Sequence, residues 1–157
     1  FCLSRGLGDV YKRQENALLA TLITHLLLAR REVVIMDMAA GIEHLGRATA
    51  KAVDKLIVVV EPSRRSIETT KTIRKMAQDI GLYNMAVVGN KIRSQSDQEF
   101  IISNLPDFEF LGFMPYDPAI VDADLAHLSV LEASPKVVAE AKNIYQALMA
   151  PRDTAKK

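Results

Sequence analysis

Apolar residues fall along this chain in two alternating patterns: short unbroken runs, and longer stretches with helical spacing. From Glu15 to Arg30, Leu19, Leu22, Ile23, Leu26 and Leu27 keep an i, i+3, i+4 spacing, which predicts a helix with one face on a sheet. Val33-Val34-Ile35-Met36 then runs straight into Asp37 without alternation, so Glu32 to Asp37 is expected to be a strand covered on both faces. A short helix is expected to run on to Val53. Leu56 to Val60 is a second apolar run, β-branched at nearly every position. Pro62-Ser63 closes it. Ser63 or Ser66 can cap the next helix, which turns Ile67, Ile73, Met76, Ala77 and Ile80 inward and stops at Gly81. Met85 to Gly89 and Phe108 to Phe113 read as two more strands, with a helix from Ser96 or Asp97 through Leu105 between them. Two helices follow, Ala119 to Leu128 and Pro135 to Met149, the latter with Ser134 as N-cap and Pro135 at its first position.

Strand and helix thus alternate through short connections. That order predicts an α/β fold: a parallel sheet flanked by helices, with right-handed crossovers.

Composition changes this picture only at the edges. The 157 residues suffice for one domain with a real core, and 49% hydrophobic with 25% charged residues is ordinary for a globular protein. Ser4 to Gln14 resembles one reading frame of a sequencing adapter, so residues 1–14 are treated as a non-native segment. Setting them aside removes Arg5, Lys12 and Arg13 against Asp9, a net +2, and turns the formal charge of +1 into −1. The slight basicity therefore points to neither nucleic acid nor an anionic membrane. Cys2, the single cysteine, also falls there, leaving no thiol for a disulfide or a metal site. Leu18 to Leu28 is interrupted by Thr21, Thr24 and His25 and ends in Arg30-Arg31, unlike a signal peptide or a membrane span. A cytoplasmic location is expected. Residues 15–150 are read as one domain and residues 151–157 as a flexible tail.

The candidate chemistry lies at strand ends. Open α/β sheets bind ligands beyond the carboxyl ends of their strands, and three ends carry suggestive residues: Asp37 to Gly41, Asn90-Lys91, and Pro115-Tyr116-Asp117. Asp37 can order Mg²⁺ through water, because Mg²⁺ keeps much of its hydration shell. Gly41 leaves a backbone N–H free to donate to a phosphate. On the decapeptide Val33 to Ile42 alone, a capped strand end with an ordinary turn explains the residues equally well. Asn90 has a carboxamide that both donates and accepts hydrogen bonds. Lys91 suits a packed stem better than a catalytic role.

Taken together, these motifs resemble the MinD/ParA class of P-loop ATPases, and within it the CooC-type accessory ATPases that help load nickel into carbon monoxide dehydrogenase. The likeness rests on Asp37-Met38-Ala39-Ala40-Gly41-Ile42-Glu43-His44-Leu45-Gly46-Arg47, Val-Glu-Pro-Ser at 60–63, Asn-Lys-Ile-Arg at 90–93 and Pro-Tyr-Asp-Pro at 115–118. It implies a MinD/ParA-type fold represented here without its N-terminal phosphate-loop strand and helix. Asp37 and Gly41 then become the catalytic switch, Asp37 the Mg²⁺ residue, and Asn90, Lys91, Pro115, Tyr116 and Asp117 the base side of an ATP site. GTPases place an aspartate two positions after the Asn-Lys pair; Arg93 stands there and has no acceptor, which favours adenine. The resemblance further implies a homodimer, a client metalloenzyme such as carbon monoxide dehydrogenase, nickel held on cysteines upstream of residue 15, and no nucleic-acid or membrane partner. Without the Walker A loop this segment is expected to be inactive alone. Two alternatives remain: a MinD/ParA-type positioning or partitioning ATPase, and a receiver-like non-enzymatic domain with Asp37 as phosphoacceptor.

Overall fold

The computed structural model describes residues 33–37 and 53–150. The expected helix at 15–30, the switch turn with Gly41, the short helix before Val53, and the two terminal segments lie outside the described residues.

Three strands form one sheet in the order β1-β2-β3: β1 is Leu56–Val60, β2 Met85–Ile92 and β3 Glu109–Pro115. β2 and β3 are parallel, with Ala86 opposite Glu109, Val87 opposite Phe110 and Gly89 opposite Phe113. Helix α1 (Arg64–Asp79) links β1 to β2, and α2 (Gln95–Asn104) links β2 to β3. Three helices follow: α3 (Pro118–Leu125), α4 (Val130–Ala133) and α5 (Pro135–Met149). This is the parallel α/β architecture that the alternating pattern predicts.

Two compact units divide the chain: residues 1–56 with 72–84, and residues 57–71 with 85–157. The second holds most of the sheet, and its core follows the two-residue period of the strands. Ala86, Val88 and Leu111 pack together, with Met114, Ile144 and Leu148 laid against them, so one sheet face is covered by α5. Gly89 belongs to the other set of β2 positions. A Cβ there would stand 2.8 Å from Phe113 Cε1 and 3.4 Å from Ile101 Cδ1 of α2, so only glycine lets the Phe113 ring and α2 approach this closely. Phe113 in turn stacks on Phe110 at 5.7 Å between centroids.

Helix ends follow the sequence closely. Ser63 Oγ accepts from the Ser66 N–H at 3.2 Å at the start of α1, which makes Ser63 its cap. Ser66 instead holds the preceding turn, its Oγ accepting from the Glu61 N–H at 3.0 Å. The buried Thr70 hydroxyl is satisfied by donating to the Ser66 carbonyl at 2.8 Å. After α1, Gly81 adopts φ 89° and the Leu82 N–H donates back to the Ala77 carbonyl at 2.8 Å, closing the helix as its glycine predicts. Ser134 Oγ accepts from the Val137 N–H at 3.3 Å, with Pro135 opening α5.

Elsewhere the structure corrects the sequence reading. Val33 to Asp37 forms no strand, and Val33, Val34 and Ile35 are exposed. An apolar run specifies a buried strand only where a neighbouring strand pairs with it, and the described sheet has no pairing for this run. β1 is apolar throughout but buries only Val58 and Val60, leaving Ile57 and Val59 exposed. β2 continues past Gly89 through Asn90 and Lys91, because Ile92 still pairs with Pro115. The single helix expected over 119–128 breaks at Ala126, where His127 takes a left-handed φ of 53°. Among the described residues, no helix is long and apolar enough to cross a membrane.

Candidate functional site

The carboxyl ends of β2 and β3 bring Asn90, Lys91, Pro115, Tyr116 and Asp117 to one edge. Their juxtaposition is set by pairing: Ile92 opposes Pro115 in the ladder, and the Tyr116 N–H donates to the Ile92 carbonyl at 2.8 Å. The Arg93 guanidinium lies over the Tyr116 ring at 4.6 Å, which fastens one strand exit to the other. Arg93 is itself held from α2, whose Asp97 carboxylate accepts from the Arg93 N–H at 2.8 Å and the Ser94 N–H at 3.2 Å.

Between Gly89 and Ile92 the ladder slips out of register, and Lys91 occupies a left-handed φ of 57°. A non-glycine residue there carries a backbone cost of roughly 1–2 kcal/mol, and such strain gathers at functional turns. The slip folds the Asn90 side chain back, so that its Oδ1 accepts from the Lys91 N–H at 2.9 Å. Asn90 Nδ2 and the second lone pair of Oδ1 remain to meet a ligand. Lys91 Nζ reaches Glu61 Oε1 at 2.6 Å, pinning the slipped turn to the end of β1. Lys91 is not among the residues that line the neighbouring cleft.

That cleft encloses about 270 Å³ beside the Arg93 turn, near the lower end for ligand pockets. Phe113 and Pro115 come from β3, Arg93 and Gln98 from the α2 side, and Lys136 and Glu140 from α5. Among the residues expected to bind the base, Pro115 alone lines it.

Asp117 is committed to structure. One carboxylate oxygen accepts from the Ala119 N–H at 3.0 Å, capping α3, and the other accepts from the Ser134 hydroxyl. The Ser134 hydrogen bond, then the Ala119 amide, and lastly the Lys136 charge hold the Asp117 carboxyl below its ordinary value. Asp37 is exposed and belongs to the first unit. Its hard carboxylate oxygen is the donor type Mg²⁺ takes, and among the described residues no group of three potential metal ligands forms.

Sequence reasoning missed Glu61, Gln98, Lys136 and Glu140. Glu61 stood inside the Val-Glu-Pro-Ser quartet, and Lys136 and Glu140 share a helix face at i, i+4, so both signals were present but pointed to no chemistry without the fold.

Comparison with known proteins supplies the deciding observation. No protein-family model matches the chain. The carbon monoxide dehydrogenase accessory protein CooC of Rhodospirillum rubrum is 42% identical over 135 residues, which are 86% of this chain and 51% of that protein. The chain is CooC-like, with a MinD/ParA-class fold. An uncharacterized ATP-binding protein of Methanocaldococcus jannaschii is 44% identical over 112 residues, 69% of this chain and 43% of that one. A ParA family ATPase from Chlorobium tepidum superposes with a TM-score of 0.65 at 21% identity, covering 85% of this chain and 56% of the other. MinD from Aquifex aeolicus gives 0.59 at 22% identity, over 74% and 52%. At these identities the superpositions establish the shared fold. This CooC-like chain spans about half the length of the curated relatives it matches.

Proposed function

We propose that the chain is the C-terminal part of an ATP-hydrolysing accessory protein that serves metal insertion into a client enzyme such as carbon monoxide dehydrogenase. The observation that carries this reading is the joined edge at Asn90–Arg93 and Pro115–Asp117, in a chain 42% identical to CooC over 135 residues. Asn90 contacts the base with its free carboxamide N–H, and Pro115 with the Arg93–Tyr116 pair forms the wall beside it. Asp117 serves from behind, as the cap that fixes this loop. Lys91 keeps the Asn90 turn in shape through Glu61.

The phosphate side uses Asp37 and Gly41. Asp37 would hold Mg²⁺ through water, and the Gly41 N–H would donate to the γ-phosphate. Phosphoryl transfer requires little beyond such positioning and charge neutralisation. Mg²⁺, when bound, supplies the positive charge that screens the β- and γ-phosphate oxygens. In this reading the phosphate loop and the nickel-carrying cysteines belong to the part of such a protein that this chain does not span. The working form is a homodimer whose nucleotide-dependent state governs delivery to the client.

The test joins residues 15–150 to an upstream phosphate-loop segment from a CooC relative and measures ATP hydrolysis. Asp37→Ala should lower turnover by about a hundredfold or more, the scale of losing one electrostatic contact in a transition state. Undiminished turnover in Asp37→Ala would rule out the assigned role.

A further inference from the structure

Helix α3 leaves large apolar side chains exposed. Its inward side buries Ala123, yet Val121 and Leu125, one turn apart on a single face, are 49% and 76% exposed. The turn that follows presents Leu128 at 67% exposure, held in place by its N–H donating to the Ala123 carbonyl at 2.8 Å. Helix α4 packs beside α3 and adds Leu131 at 74% exposure. Single exposed leucines are ordinary, but four large apolar side chains between residues 121 and 131 form a ridge of the kind that marks an interaction surface.

Within this segment the full charges have one sign, and the first lysine after it is Lys136 at the start of α5. From Pro118 to Ala133 the chain carries Asp122, Asp124 and Glu132, all exposed, and neither lysine nor arginine. We propose that the α3–α4 ridge docks a cationic amphipathic helix of a protein partner. Leucine-type side chains at i and i+4 of that helix pack between Val121, Leu125, Leu128 and Leu131, and its flanking lysines or arginines meet the acidic rim. A second copy of this chain would bring acidic rim against acidic rim, and an anionic membrane would be repelled by it. The inference stands apart from the nucleotide reading and uses none of its residues.

The experiment titrates the purified chain into two dye-labelled helical model peptides, one of leucine and lysine, the other of leucine and glutamate with the same pattern. Fluorescence anisotropy should show the lysine peptide binding, more weakly as salt rises, and the glutamate peptide not binding. Leu125→Ser/Leu131→Ser should weaken binding at least about tenfold, as loss of interface anchors does, with an unchanged circular dichroism spectrum. Asp122→Asn/Asp124→Asn, which leaves the apolar ridge intact, should weaken binding and flatten the salt dependence. Equal binding of both peptides, no binding, or binding indifferent to both variants overturns the proposal. So does a concentration-dependent dimer in sedimentation that Leu125→Ser/Leu131→Ser abolishes, which assigns the ridge to a second copy. Stronger binding to phosphatidylglycerol vesicles than to the lysine peptide overturns it in favour of a membrane.

Discussion

Asp117 and Ser134 show how one side-chain contact organises a loop from two ends. Ser134 donates to Asp117 and accepts from the first turn of α5, while Asp117 caps α3, so two helices are tied at one point. The contact has a pH signature. The Asp117 carboxyl is held below its ordinary value of 3.8, first by Ser134, then by the Ala119 amide. A carboxylate with a depressed native pKa stabilises the fold fully above its unfolded value and loses that contribution as pH falls through the native one. Ser134→Ala should therefore lower the melting temperature through two separable losses. Loss of the α5 cap acts at every pH, whereas loss of the Asp117 partner acts only where Asp117 is charged. Melting curves at pH 7 and about pH 2.5, below the usual carboxylate range, should show a larger drop at pH 7. Equal drops at both pH values would mean that the pair carries no charge-linked stability. The serine and the proline after it were legible as a helix start. The aspartate seventeen positions away was not, because pairing at that separation depends on where the loop after β3 turns back.

Among the elements, the β2–β3 edge was the most readable and also the most instructive in its errors. Runs such as Met85 to Gly89 declare themselves locally, but where a strand stops is decided by its partner. Asn90 and Lys91 stay in β2 because Ile92 finds Pro115 across the ladder, a contact with no local trace. The break after α3 is equally non-local: His127, not a glycine, takes the left-handed conformation, so no residue type announced it. What joins the two strand exits is Arg93 over Tyr116 at 4.6 Å, with Arg93 pre-set by Asp97. A double-mutant cycle with Arg93→Ala and Tyr116→Leu should return a coupling of about 0.5–1 kcal/mol for a partly exposed cation–ring pair. Tyr116→Phe should retain most of it, since the ring face rather than the hydroxyl is the partner. Zero coupling would mean that the exits are held by the backbone contact from Tyr116 to Ile92 alone.

At the scale of the whole molecule, the distribution of apolar surface makes the last prediction. The first unit leaves Ile35 85% exposed beside Val33 and Val34, and the second leaves Val59 60% exposed beside Ile57 on β1. Both runs are β-branched and unbroken, composition suited to a covered position in a sheet rather than to solvent. The CooC protein it resembles is about twice as long as the matched region. If the additional length of such a relative covers these runs, joining residues 15–150 to it should change three measurements together. Binding of a hydrophobic dye should fall. The urea m-value should rise by more than the added residues alone contribute, because m follows the surface exposed on unfolding. Saturating ATP should raise the melting temperature of the joined protein, since a ligand at a hundredfold excess over Kd stabilises the native state by roughly 2.7 kcal/mol. The separate chain should show high dye binding and no ATP response. The three readouts fail independently: unchanged dye binding and m-value would show that the exposed runs stay uncovered, whereas cover without an ATP response would leave the architecture intact and remove the nucleotide from it.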